Sequence, residues 1–340
     1  MDKTINQDIV DQVERNRWKN ILHTLVKDWR LYVLLIPMLL FLVLYKYKPI
    51  AGILEGFRWG TGTDLRVTQW AGFKWGALLF SSTSQYSSWF WRAFRNTFVN
   101  SMYGLFFGFP IPIFLALLFS EVKNEKYRSF LQVCCYLPHF VSVVAITTLI
   151  RLWCEKATAI RAAGILNQVL SSMGWLESGT NVLSSPRFFR PIYQISGVWE
   201  GAGYGSIVYF AAVMAISPTN YEAARIDGAS KWQQIRYVTL PGMAPTLTIM
   251  LIMRVGQILN VGYEKIILLV GTESNSYETS EVISTLVYRL SGRAGDSSTI
   301  QAEGAQQIGI VADLFNSLIA MCLVLGANAI SRRVSSTSLF

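Results

Sequence analysis

Charge is scarce in this 340-residue sequence: Asp, Glu, Lys and Arg together make up 15% of it, and only two histidines and four cysteines are present. So few charged groups do not suit the two or three soluble domains that length alone would allow. Cys134, Cys135, Cys154 and Cys322 contain no CxxC pair and have no metal-ligand spacing to His23 or His139. They read as small core residues rather than disulfides or zinc ligands. A GxxxxGK[ST] phosphate-binding loop is missing, so nucleotide hydrolysis is not expected of this chain, and no nucleophile–base set stands out to make it an enzyme. Too many charges precede the first apolar run for a signal peptide, and no small-residue cleavage site follows, so the first thirty residues are expected to stay on the protein.

What is abundant is apolar surface: 52% of residues are hydrophobic and mean hydropathy is positive. Together these point to one all-α integral membrane domain. A helix crosses the hydrocarbon with about 20 mainly apolar residues, and six stretches qualify: 31–47, 96–120, 130–150, 191–216, 244–270 and 308–330. The last four carry Gly, Asn, Glu, Arg or His at membrane depth, and must pack on each other or line water. Six spans put both termini on one side. The cytoplasm is the side that fits, because Lys123, Lys126, Arg128, Arg225, Lys231, Arg236, Arg332 and Arg333 all fall in its short loops or tail. The formal net charge of +9 is thus topological, and nucleic acid is not an expected partner.

Three regions follow: residues 1–30, a six-helix membrane body at 31–330, and a tail at 331–340. In the first, Ile21, Leu22, Leu25, Val26 and Trp29 recur at helical spacing opposite Lys19, His23, Lys27 and Arg30. That pattern fits a helix lying in the membrane interface or one packed in the cytosol. No internal repeat or low-complexity segment is present.

The polar interruption "YEAARIDGASKWQQIRYVTLP" (221–241) lies between spans four and five, on the cytoplasmic side. Ser217 is placed to cap a helix opening at Pro218, with Thr219 and Glu222 offering an alternative capping-box register. Gly228 suits a left-handed stop. Ser230 and Gln233 have capping-box spacing for a second helix, which Leu240-Pro241 is expected to end. From shape alone, two short helices around a glycine turn either form a knob for another protein's groove or pack beneath their own bundle.

The order Glu222-Ala223-Ala224, Asp227-Gly228-Ala229, Ile235, Val238 and Leu240-Pro241 closely resembles the EAA loop of binding-protein-dependent ABC importer permeases. The resemblance implies the type I permease fold with six transmembrane helices, an N-terminal interfacial helix, and a cytoplasmic coupling helix within loop 217–241. It implies that Glu222, Ala223, Ala224, Asp227 and Gly228 insert into a cleft of a separate ATPase subunit, with Leu240 and Pro241 fixing the return to the membrane. It further implies a bacterial inner-membrane location, a second permease subunit, two ATPase subunits that hold the ATP and magnesium, and an extracytoplasmic substrate-binding protein. No cofactor or metal is expected on this chain. The segments "YLPHFVSVV" (136–144), "GVWEGAGYGSIVYFAAV" (197–213), "LNVGYEKIILL" (259–269) and "YETSEVISTLVYRLS" (277–291) look like the maltose-type carbohydrate branch that imports polysaccharide-derived oligosaccharides.

Sugar chemistry points the same way, since a sugar site wants aromatic faces for C–H surfaces and amides or carboxylates for hydroxyls. Trp199, Glu200, Tyr204 and Tyr209 in span four, Asn260, Tyr263 and Glu264 in span five, and His139 in span three are the candidates. Each aromatic also has a plainer reading as an interface anchor or packing residue. Arg254 and Lys265 are costly at membrane depth. They attract an anionic sugar such as a uronate, or else Arg254 pairs with the second permease and Lys265 snorkels outward. Two other functions remain open: a permease for a non-carbohydrate solute, and a membrane sensor or scaffold borrowing an ATPase-docking loop.

Overall fold

A computed structural model describes residues 26–59, 69–177, 179–270, 277–292 and 303–334. It divides into two compact units, Met1–Glu55 and Gly56–Phe340. Most of the interfacial helix expected over 1–30, including Ile21, Leu22 and Leu25, lies outside the described residues, as does the tail beyond Val334. In the first unit, α1 (Trp29–Phe41) runs on through a π-helical stretch (Leu42–Tyr47) into a 3-10 stretch (Lys48–Phe57). The whole run is apolar with 0% of its membrane window buried. A helix apolar all round is at home only in lipid or against another chain.

The second unit opens with a two-residue antiparallel pairing, β1 (Arg58–Trp59) with β2 (Gln69–Trp70), a small exception to the all-α expectation. After α2 (Lys74–Phe80), α3 (Gln85–Gly108) and α4 (Pro110–Glu121) form one run of 37 residues. The span expected over 96–120 therefore begins earlier, at Gln85. At 1.5 Å per residue the run is roughly 55 Å long, well beyond the ~30 Å hydrocarbon, so part of it extends past the bilayer core. Its first turns are held by packing: Phe90 and Ala93 are buried with Ile283, Leu286 and Ile308 in one apolar core. Pro110, which has no N–H to donate, marks the joint between α3 and α4.

The third expected span is bent. α5 (Glu125–Tyr136) continues as a 3-10 turn through Phe140, then α6 (Val143–Cys154) leaves at 89°. Ser142 caps the new direction, its Oγ accepting from the Val144 N–H at 3.3 Å. After α7 (Ile165–Ser172), α8 (Pro186–Met214) is the long central helix. A Cβ added at Gly203 would lie 1.9 Å from the Cys135 carbonyl oxygen, so the backbones of α5 and α8 come this close only because this residue is glycine.

α9 (Pro218–Ile226) turns from α8 by 68°. Next, α10 (Lys231–Gln234), a π-helical stretch (Ile235–Thr239) and α11 (Leu240–Gly256) form a single 26-residue run. Leu240-Pro241 thus does not end the second loop helix. The wider π turn takes up the lost proline donor, with the Leu240 N–H bonded to the Ile235 carbonyl. The fifth span, expected to be continuous over 244–270, is interrupted after Gly256 and resumes as α12 (Tyr263–Val270). The Asn316 carboxamide donates to the Leu259 carbonyl at 3.2 Å and ties this break to the last helix, α15 (Ala305–Val334). Among the described residues, four helices suit membrane crossing by length and composition, or up to six spans if each bent pair counts as one.

One buried polar cluster joins distant segments. Between α13 (Tyr277–Ser280) and α14 (Ile283–Leu290), Glu281 is 1% exposed. It accepts from Arg92 at 2.5 Å on one oxygen and pairs with Arg289 on the other. Asn96 donates to the Glu278 and Glu281 carbonyls at 2.9 and 3.0 Å and accepts from Arg190 at 2.7 Å. Helices α3, α8 and the α13–α14 segment are locked together through these bonds.

Candidate functional site

The loop after α8 is built from its own capping chemistry. Gly228 has φ +75°. It lets the Ala229 N–H reach the Ala224 carbonyl at 2.9 Å while its own N–H reaches Arg225 at 3.0 Å, the paired C-terminal closure of a helix. The Ser230–Gln233 capping box forms in both directions, at 2.7 and 3.4 Å. Ser217 sits at the N-cap as expected, but its hydroxyl bonds Thr219 at 2.7 Å rather than the helix backbone. Two bonds hold the loop to itself, Tyr221 to Thr239 at 3.1 Å and Gln234 to the Ala229 carbonyl at 2.9 Å, and the Lys231–Glu121 pair at 2.6 Å ties it to the end of α4.

No residue of α9 is buried. Glu222, Ala223, Asp227 and Gly228 are exposed, with Ala224 half-buried. Ile226 and Trp232 stand 87% and 70% exposed at the tip. The loop thus has two sides: one lies against the ends of α4 and α8, and the other is exposed. Leu240 and Pro241 lie at the π-to-α transition, on the way back to the membrane.

Helices α3, α8 and α11, the 257–262 break and the first turn of α12 line a half-open cavity of about 320 Å³. Arg254, Asn260 and Lys265 from the candidate set line it, together with Asn100, Ser101, Gln194 and Gln257, which sequence reasoning missed. Lys265 neither snorkels nor stands alone: its Nζ is 2.8 Å from Glu200 Oε2, and both side chains are mostly shielded. The Arg254 side chain makes no ion pair or hydrogen bond among the described residues. Asn100 is 2% exposed, and neither polar atom of its carboxamide has a partner.

The remaining candidates sit apart from this cavity. His139 and Tyr204 stack on each other, 4.0 Å between ring centres and 9° from parallel. Trp199 lines a neighbouring apolar groove with Tyr103 and Phe107 on α3. Tyr263 stacks on Tyr288 at 5.1 Å, and Glu264 is exposed beside it. Tyr209 corrects its own assignment: it is 2% exposed, packed edge-on against Phe109 in a core with Ala116, Val213 and Met243, and faces no cavity.

Glycines lining the cavity differ from the packing glycine Gly203. A Cβ at Gly108, Gly201 or Gly262 would meet nothing within 4 Å, and at Gly104 or Gly197 only a side-chain tip at 3.9 Å. Helix packing does not demand glycine at these five positions. Their effect is to keep side chains out of the cavity.

Comparison with known proteins gives consistent matches. Residues 108–335 match the family model described as the binding-protein-dependent transport system inner membrane component. The chain is 30% identical to LplB of Bacillus subtilis strain 168, over 93% of this chain and 92% of that protein. It is 28% identical to YteP of the same organism, a polygalacturonan/rhamnogalacturonan transport system permease protein, over 96% and 95%. Among solved structures, it is similar to a chain of a bacterial ABC transporter that imports the acidic polysaccharide alginate. That match has a TM-score of 0.77 and 38% identity, covering 93% of this chain and 100% of that one. It is similar also to a chain of a bacterial alginate ABC transporter solved in complex with alginate pentasaccharide-bound periplasmic protein, with a TM-score of 0.77 and 38% identity over 95% of this chain and 99% of that one.

Proposed function

Because this chain belongs to the family of binding-protein-dependent transport system inner membrane components, we infer that it is one permease subunit of an ABC importer for polysaccharide-derived oligosaccharides. The observation that carries the reading is the doubly capped knob at 218–234, with its exposed Ile226 and Trp232. An apolar tip on a braced scaffold is a rigid element that an ATPase cleft can grip and push. Supporting the cargo class are the polar, glycine-widened cavity and the relatives that carry polysaccharide transport in their names.

In this reading an extracytoplasmic binding protein delivers the sugar, a second and different permease completes the pathway, and two separate ATPase subunits hold ATP and magnesium. This chain itself hydrolyses nothing. Both termini and the loop face the cytoplasm, where the basic short loops place them. The test is reconstitution of the complex in liposomes with its binding protein. ATP hydrolysis and uptake that both rise on adding the sugar-loaded binding protein are the expected result. Insertion of this chain into the membrane with no co-purifying ATPase would overturn the reading.

A further inference from the structure

The cavity holds two cations that differ in their surroundings. Lys265 is matched by Glu200 at 2.8 Å. Arg254 lines the same cavity with no ion pair or hydrogen bond from its side chain among the described residues. Among the described residues of this chain, one positive charge is therefore left over, on an exposed side chain. From Leu240, where the apolar part of the helix begins, Arg254 lies about 21 Å along the axis, well inside the hydrocarbon thickness, where an uncompensated cation is expensive. A guanidinium is also the side chain whose planar fork fits a carboxylate with two parallel hydrogen bonds.

A second feature marks the space as a ligand's. Five wall glycines leave open volume that helix packing does not require.

We propose that Arg254 is the receptor for a carboxylate of the cargo, making the cavity selective for uronate-containing oligosaccharides over neutral ones. The Glu200–Lys265 pair sets the count at one excess charge, so a single uronate unit neutralises the site. This proposal rests on the oligosaccharide reading above.

The test uses the solubilised complex without its binding protein, so that the permease's own preference is read. Equilibrium binding is measured for trigalacturonate and for the same trimer with its carboxyls reduced to alcohols. Wild type is expected to favour the acid trimer by about tenfold, the size of one charge-assisted contact. R254Q brings the two trimers to within about twofold, and R254K keeps part of the preference. Should the variants fail to assemble, wild type alone still decides: added salt must weaken binding of the acid trimer and leave the neutral one unmoved. A wild-type preference absent or insensitive to salt, or a preference that survives in R254Q, overturns the proposal while leaving the oligosaccharide reading standing. Binding of neither trimer, by a complex that still takes up another solute, overturns both.

Discussion

At the residue scale, what decides a role is the neighbour rather than the residue type. Glycine shows this most clearly. Gly203 and Gly201 are two positions apart on α8, yet a Cβ would lie 1.9 Å from the Cys135 carbonyl oxygen at the first and in open space at the second. Gly203→Val is therefore expected to abolish accumulation of the assembled complex. Gly201→Val is expected to assemble normally and to lower uptake by narrowing the cavity; co-purification yield and transport separate the two, and equal yields would refute the distinction. Glu281 is a second case. Its side chain is 0% exposed between Arg92 and Arg289. Removing one member of a buried charge cluster costs about 3–5 kcal/mol, and the lower end applies here because Arg92 keeps a third of its side chain in water. Glu281→Gln should lower the thermal midpoint of the complex in detergent clearly, whereas an unchanged midpoint would show the cluster to be energetically idle. Neither fact was legible in the sequence: Glu281 reads as one more loop carboxylate, and Tyr209 as one more sugar-facing aromatic, because burial arises from segments far apart in the chain.

Elements were legible where their signals are local. Pro218, Gly228 and the Ser230–Gln233 pair each act within four residues, and the loop forms as those residues dictate. Predictions about the loop follow from the same geometry. Gly228→Val forces a branched side chain into a left-handed turn, at a cost of roughly 1–2 kcal/mol. It is expected to leave membrane assembly intact while reducing the ATP hydrolysis stimulated by loaded binding protein; full stimulation would refute a coupling role for this closure. Breaks in long helices were less legible. The interruption after Gly256 coincides with Gln257, Asn260 and Gly262, but apolar residues resume on either side and hid it; it is held by Asn316 from α15, 57 residues from Leu259. The early start of α3 was hidden in the same way, since Arg92 and Arg95 resemble loop residues until Glu281, Asn96 and the aromatic core are packed around them.

At the scale of the whole molecule, the cavity and the loop lie at the two ends of one mechanical path. α8 runs from the cavity wall to Met214, three residues before the cap of α9, and the run Lys231–Gly256 carries the loop's second helix directly to Arg254. The π stretch at Ile235–Thr239 keeps that run unbroken past Pro241, so a push on the loop is delivered to the cavity by a continuous helix. Motion of the knob and access to the cavity should thus be coupled. The most direct measurement is sugar uptake into liposomes by the complex carrying Trp232→Asp, compared with wild type at equal ATPase incorporation. The account predicts assembly with uptake reduced by about tenfold or more, because a charge replaces the exposed apolar residue proposed to dock on the ATPase. Uptake equal to wild type would contradict it, and would leave this loop an ornament on a permease driven from somewhere else.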